Sequence, residues 1–331
     1  MKAAFLTSPK HIDLDEVAIP EPKTGEVRVR LKQVGICGSD VHLFLGHRAL
    51  PQPTIIGHEG YGFIDKTGDG VTGRQIGERV IIEPNIPCRQ CRYCLQGHGN
   101  ICVNKRVAGL TEAGCFAEYV CWPEAFCRPV PDDITDTDAV TVEPMAVGVH
   151  ALFKSSALPG DTIAVIGLGA IGLLLTHLAI SLGYRVLVTE LNARKRQLAV
   201  AEGAIAVEGD ADTLNRLWEQ YEVCTVFECA GSAATASLAT AAAPRGSEVV
   251  LLGLASQPAS FTPLKIAREG IHIVPSIIYD HPADFKRTLN LIQRKKINPG
   301  KIISRYMPLN QLQEALTLAA LGDDTKIIVT I

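Results

Sequence analysis

Residues 162–172 read Thr-Ile-Ala-Val-Ile-Gly-Leu-Gly-Ala-Ile-Gly. Thr162–Ile166 is a short apolar run rich in β-branched residues, the pattern of a buried strand. It passes directly into Gly167, Gly169 and Gly172, spaced G-x-G-x-x-G with Ala170 and Ile171 in between, and an apolar helical stretch, Ile171–Leu182, follows. In such a turn the first glycine permits the tight bend, the second lets the backbone approach a pyrophosphate, and the third lets helix and strand pack closely. The helix start then offers unpaired N–H groups and a partial positive charge to the phosphates. Alone, the hexapeptide is only a tight turn. Its flanking strand and helix make it a nucleotide site.

Strands and helices continue to alternate on the C-terminal side. Val186–Thr189 reads as a strand, Ala193–Glu202 as a helix, and Thr225–Glu228, Glu248–Leu252 and Ile271–Ile273 as further strands. This alternation predicts βαβ units and a doubly wound parallel sheet of the Rossmann type, hence an α/β protein. The second strand ends at Glu190, 18 residues after Gly172. A carboxylate there would hold the adenosine ribose hydroxyls and repel a 2′-phosphate, which favours NAD over NADP. Arg194, Lys195 and Arg196 nearby weigh the other way.

Residues 1–150 have a different texture. Short apolar runs such as Val27–Val34 and Arg79–Ile82 are broken by Gly, Pro and Asp turns, so this part reads as β-rich. A helix at Leu309–Leu321 and a strand at Lys326–Thr330 close the chain. The expected division is 1–150, 151–280 and 281–331.

The 331 residues are 47% hydrophobic and 20% charged, ordinary values for a protein with a large core, and the formal charge is 32 − 35 = −3. Nothing in that balance points to nucleic acid or an anionic membrane. No apolar run reaches the roughly 18–20 residues of a membrane span. The opening MKAAFLTSPK has no apolar segment before a cleavage site. Ten cysteines in such a chain predict a reducing, cytoplasmic setting, where clustered cysteines bind metal more often than they pair.

Four of the ten are Cys88, Cys91, Cys94 and Cys102, spaced C-x2-C-x2-C-x7-C within a lobe over 84–104. Closely spaced thiolates on one loop can supply the tetrahedral shell of a structural zinc. An iron–sulfur cluster is the other reading of the spacing. Elsewhere, Gly35-Ile36-Cys37-Gly38-Ser39-Asp40-Val41-His42, Gly57-His58-Glu59 and Val142-Glu143-Pro144-Met145 carry a thiol, imidazoles and carboxylates. A catalytic zinc takes three protein ligands and keeps one position open. The spacing of these residues does not by itself single out a set.

The strings GICGSDVH and GHEGYG, the four-cysteine lobe and GLGAIG occur here in the order seen in zinc-dependent medium-chain alcohol dehydrogenases, and the chain resembles that family along essentially its whole length. The resemblance implies a distorted β-barrel (GroES-like) catalytic domain together with the Rossmann domain. It implies catalytic zinc ligands at Cys37 and His58, with Glu59 a ligand or near-ligand. VEPMAVGVHA is similar to the segment in sorbitol and sugar-acid dehydrogenases whose Glu touches the metal or its water, which corresponds to Glu143. Ser39 and His42 match the family's proton relay, and Asp40 the acid that orients the zinc-bound imidazole. The implied cofactors are two zincs per chain, one catalytic and one structural, and NAD. The implied reaction takes hydride from a secondary alcohol, a polyol or sugar acid, to NAD and leaves a ketone. 2,3-Butanediol and threonine dehydrogenases are relatives of the same kind, and a silent nucleotide-binding regulator is the rival from another class. By analogy the chain is a homo-oligomer, a tetramer. One departure bears on substrate: Ser276-Ile277-Ile278-Tyr279-Asp280 stands where animal sorbitol dehydrogenases carry an Arg-Tyr pair.

Overall fold

Thr162–Ile166 lies in the middle of a six-stranded sheet, with all five residues buried. The spatial order is Ile205–Ala206, Arg185–Thr189, Thr162–Ile166, Val223–Glu228, Glu248–Leu251 and His272–Pro275. Every neighbouring pair is parallel. Numbered along the chain these six strands run 3-2-1-4-5-6, the doubly wound dinucleotide order. The computed structural model describes residues 1–51 and 53–331, and this sheet belongs to one of two units, Pro144–Ile297. A parallel sheet is covered by helices, so its central strands read as continuous apolar runs without alternation. The helix Ala170–Ser181 is buried at every position from Gly172 to Ala179, which explains why it too lacks a polar face. Leu214 and Trp218 of the helix Ala211–Gln220 pack with Val226, Ala239 and Val249.

The other unit comprises Met1–Glu143 and Asn298–Ile331. Its main sheet is built on the ten-residue strand Glu26–Gly35, in which Val27, Val29 and Leu31 are buried while Arg30 and Lys32 face out. This strand pairs antiparallel with Glu59–Thr67 along its length, with Tyr119–Pro123 at its start and with Ile327–Thr330 at its end. Register shifts at Arg28/Val29 and Leu31/Gln33 bend it. The curved sheet wraps a core that includes Phe116 and Trp122, the barrel-like half expected of the N-terminal region.

Unit boundaries fall at 143/144 and 297/298, where the sequence suggested 150/151 and 280/281. The helix Ala283–Gln293 accordingly belongs with the parallel sheet and not with the C-terminal return. Its Asp284 is tied to His150 in the same unit, a contact no local pattern reveals. The C-terminal helix begins as a 3-10 turn, Leu309–Gln311, and becomes α-helical over Leu312–Leu321. The last strand is Ile327–Thr330, leaving Lys326 just outside it. Among the described residues no helix is long and apolar enough to cross a membrane.

Candidate active site

The sulfurs of Cys88, Cys91, Cys94 and Cys102 lie within 4.8 Å of one another. Tetrahedral zinc with Zn–S bonds of about 2.3 Å holds its sulfurs about 3.8 Å apart. The observed separations are 3.5 Å for Cys91–Cys94, 3.9 Å for Cys91–Cys102 and 4.0 Å for Cys88–Cys94. Backbone N–H groups of Cys88 and Cys91 donate to the sulfurs of Cys102 and Cys88, as suits thiolates. The Cys94 N–H leads the interactions that pull Cys91 down to about 6, whereas burial leads those that push Cys94 up to about 12. The four donors fit a closed zinc shell and leave no position for a substrate.

A second donor set consists of Cys37, His58 and Glu59, whose ligand atoms also lie within 4.8 Å of one another. Cys37 caps the short helix Gly38–Phe44, and Glu59 opens the strand Glu59–Thr67 beside Gly35. A thiolate, an imidazole and a carboxylate converging, with no fourth protein ligand in the set among the described residues, match an open zinc site. Asp40 is wholly buried and fixes two of the three elements. Its Oδ2 accepts the Cys37 N–H at 2.9 Å, and its Oδ1 lies 3.3 Å from His58 Nδ1. That leaves His58 Nε2 to face inward, where Ser39 Oγ stands at 3.5 Å. Burial opposes charge on His58, but Asp40 and then Cys37 outweigh it and hold the ring's proton well above the ordinary range.

Lys326 is the residue the sequence reading missed. Its Nζ donates to Glu59 Oε1 at 2.6 Å and to the Ile36 carbonyl at 2.9 Å, and it also pairs with Glu59 Oε2. The Lys326 and Glu59 side chains are 2% and 1% exposed, so this is a fully buried ion pair. A Cβ on Gly35 would sit 2.0 Å from Glu59 Oε2 and 3.0 Å from Lys326 Cε, so only glycine leaves room for the pair. A lysine just before an apolar strand carries no local signal; the three-strand neighbourhood around Gly35 creates its role.

Glu143, buried in the first turn of Val142–Lys154, lies outside the 4.8 Å set. Burial first, and then the charge of Glu59, push its carboxyl up to about 7 against the pull of His58 and Lys326. Ser39 is placed beside His58, whereas no hydrogen bond joins it to His42. His42 turns instead to His47.

At the nucleotide turn, Gly167 has φ +88° and a Cβ on Gly172 would stand 1.9 Å from the Gly167 carbonyl oxygen. Gly169 precedes the first helical residue, Ala170, with Ile171 next, as expected. Glu190 accepts the Leu168 N–H at 2.6 Å on one carboxylate oxygen and the Asn192 N–H at 2.9 Å on the other. It is therefore held directly against the glycine turn. Arg196 donates to the Glu190 and Leu191 carbonyls and pairs with Glu208. Glu228, unremarked in the sequence, does for the next turn what Glu190 does for the first: it accepts the Ala230 and Gly231 N–H groups and the Thr235 hydroxyl. An acid ending an apolar strand was the available signal in both places.

Comparison with known proteins agrees with this geometry. Residues 23–132 match the alcohol dehydrogenase GroES-like domain, and residues 170–294 match the zinc-binding dehydrogenase domain. A sorbitol dehydrogenase of Halalkalibacterium halodurans is 30% identical over 330 residues, covering 97% of this chain and 96% of that protein. A crystal structure described as a short chain alcohol dehydrogenase, rspB, from E. coli CFT073 complexed with NADH has TM-score 0.93 at 28% identity, covering 100% of this chain and 99% of that one. A putative zinc-binding dehydrogenase from Sinorhizobium meliloti 1021 bound to NADP has TM-score 0.92 at 31% identity, with the same coverage. With donor sets that fit a closed and an open zinc shell, a dinucleotide turn and full-length relatives, this chain belongs to the zinc-dependent medium-chain alcohol dehydrogenases, oxidoreductases that work with zinc and a nicotinamide dinucleotide.

Proposed function

We propose that the protein oxidises a secondary alcohol carrying further hydroxyls, a polyol or a sugar acid, to the ketone with NAD as hydride acceptor. The observation that carries this reading is the convergence of Cys37, His58 and Glu59 with Ser39 beside them. Zinc held there supplies Lewis acidity toward an alcohol oxygen. The chain's own residues do the rest. Cys37 and His58 hold the metal, and Asp40 fixes the tautomer and direction of His58. Ser39 accepts the hydroxyl proton and passes it toward His42. Glu59 and Glu143 supply one ligand between them, and Lys326 neutralises the added anionic charge. Cys88, Cys91, Cys94 and Cys102 carry the structural zinc.

NAD over NADP rests on Glu190: its carboxylate is anchored against the glycine turn, and a 2′-phosphate on a nucleotide bound there would meet like charge. The engagement of Arg196 with backbone carbonyls and Glu208 removes one of the cations that would favour the phosphate. The polyol class is supported by the full-length similarity to a sorbitol dehydrogenase. Assembly as a tetramer and a cytoplasmic location are inferred by analogy with such enzymes.

The test is a panel of polyols, aldonic acids, vicinal diols and threonine with zinc-replete protein, read as NADH absorbance, with NADP in parallel. A polyol or sugar acid should give the highest kcat/KM, with NAD preferred. Best activity with 2,3-butanediol or threonine would replace the substrate class. No turnover of any alcohol, with both zincs bound, would leave a nucleotide-binding regulator as the better account.

A further inference from the structure

Nδ1 of His42 and Nδ1 of His47 stand 3.1 Å apart, with ring centroids 5.4 Å apart and planes tilted by 47°. His42 lies in the last turn of the helix Gly38–Phe44, and the His47 N–H donates to the His42 carbonyl at 2.9 Å, which brings the two residues together just past the helix end. Both side chains are exposed. An imidazole Nδ1 either donates or accepts, so two that face each other bond only when one carries hydrogen and the other does not. The pair satisfies this when both rings are neutral in opposite tautomers, or when it holds one extra proton. A second extra proton would set N–H against N–H and place two charges side by side, so it is disfavoured.

The surroundings distinguish this pair from most of the protein's other histidines. His11, His58, His150 and His177 each face a carboxylate. Among the described residues, none lies within 4.0 Å of the His42 or His47 ring. In the same segment, Asp40 is committed to Cys37 and His58, and Arg48 adjoins His47. The helix Leu312–Leu321 packs on this helix and has a single ionisable residue, Glu314, which makes no ion pair with either ring. Lys10 meets the helix through its backbone N–H to the Phe44 carbonyl. No fixed anion therefore traps a proton on the pair.

We infer that His42 and His47 form a one-proton outlet for alcohol oxidation, with His47 its terminal base; this rests on the reading above that Ser39 passes the proton toward His42. Oxidation of the alcohol breaks one C–H and one O–H bond, the hydride reducing the nicotinamide and the proton leaving. A proton arriving on His42 Nε2 forms an N–H bond there. The hydrogen on His42 Nδ1 crosses to His47 Nδ1, and His47 Nε2 releases its own to water. The pair returns to its starting charge, and reversal of the two tautomers resets it. His47 touches no reacting atom and acts through His42.

The experiment uses the zinc-loaded full chain with labelled histidine rings, His42→Ala and His47→Ala, plus a pH–rate profile at low buffer concentration. In the unaltered protein the ring-nitrogen resonances should show one of the two facing Nδ1 atoms bearing hydrogen and the other bare. In either variant the surviving ring should lose that pairing and exchange its hydrogen with water. His47→Ala should lower turnover roughly threefold below neutrality, well short of the 10²–10⁴ of a group at the reacting atoms. Added imidazole should restore it with zinc content unchanged. If only His42→Ala alters turnover, the outlet inference fails while the relay reading stands. If neither does, the relay reading fails and takes the outlet with it. Two Nδ1 atoms that share no hydrogen would overturn the pairing itself.

Discussion

Lys326 Nζ and Glu59 Oε1 are 2.6 Å apart in an interior neither side chain leaves, over a glycine that makes room for both. A buried ion pair gains its stability only as a pair, because removing one partner strands the other's charge. Lys326→Met should therefore destabilise the chelated protein by about 3–5 kcal/mol in urea unfolding. Glu59→Gln combined with Lys326→Met should recover most of that loss. A double variant as unstable as the sum of the two single changes would show that the residues do not act as a unit.

The two donor sets differ in closure, so they should differ toward chelators. Elemental analysis of metal-supplemented protein should give two zincs per chain, and the zinc of Cys37 and His58 should leave first, since its shell is open. Cys94→Ser should reduce the count to one and lower the Tm, while the other site keeps its metal.

Glu190 should set the cofactor preference through charge. Glu190→Ala removes the carboxylate that anchors Leu168 N–H and Asn192 N–H and that is proposed to accept from the ribose. KM for NAD should rise about tenfold, on the order of 1.4 kcal/mol for a lost hydrogen bond to a charged group. The NAD-to-NADP ratio of kcat/KM should narrow in parallel, and an unchanged ratio would remove Glu190 from cofactor selection.

Ser39 lies 3.5 Å from His58 Nε2, and on the proposed reading it takes the proton of the alcohol. Ser39→Ala should lower turnover by roughly 10²–10⁴ with both zincs retained. Undiminished turnover would make direct proton loss to water the better account.

Acid stability should report on Asp284. Burial alone would raise its pKa, but the bond from His150 at 2.8 Å, the Asp280 N–H and the Arg287 charge outweigh it and hold the carboxyl below its ordinary range. A carboxyl with a folded pKa below its unfolded value of about 3.9 adds stability above that value and loses it as pH falls through the folded one. Asp284→Asn should thus lower stability at neutral pH and flatten its decline between about pH 5 and 2, as followed by urea midpoints.

The parallel sheet was legible because its code is local. The apolar run Thr162–Ile166, the glycine spacing after it and the alternation that follows are each properties of a short window, and the strand order agrees with them. The four cysteines were legible for the same reason: the C-x2-C-x2-C-x7-C spacing is itself a pattern within one short window, and their sulfurs do converge. Cys37, His58 and Glu59 needed family likeness, since 22 residues of sequence say nothing about convergence. Three-dimensional packing alone makes Glu59 a nearer donor than Glu143, because sheet pairing sets Glu59 next to Gly35, while Glu143 arrives on a separate helix. It alone revealed Lys326, 267 residues from its partner, because a charge is stable in the interior only against another charge, and which charge it meets depends on the packing of strands distant in sequence. It also turned His42 toward His47, a contact that depends on how the chain leaves one short helix. Short windows of the chain encode the elements and the chemical repertoire. Tertiary packing determined which groups face each other, since ion pairing and metal ligation act over a few ångströms and carry no periodicity along the chain.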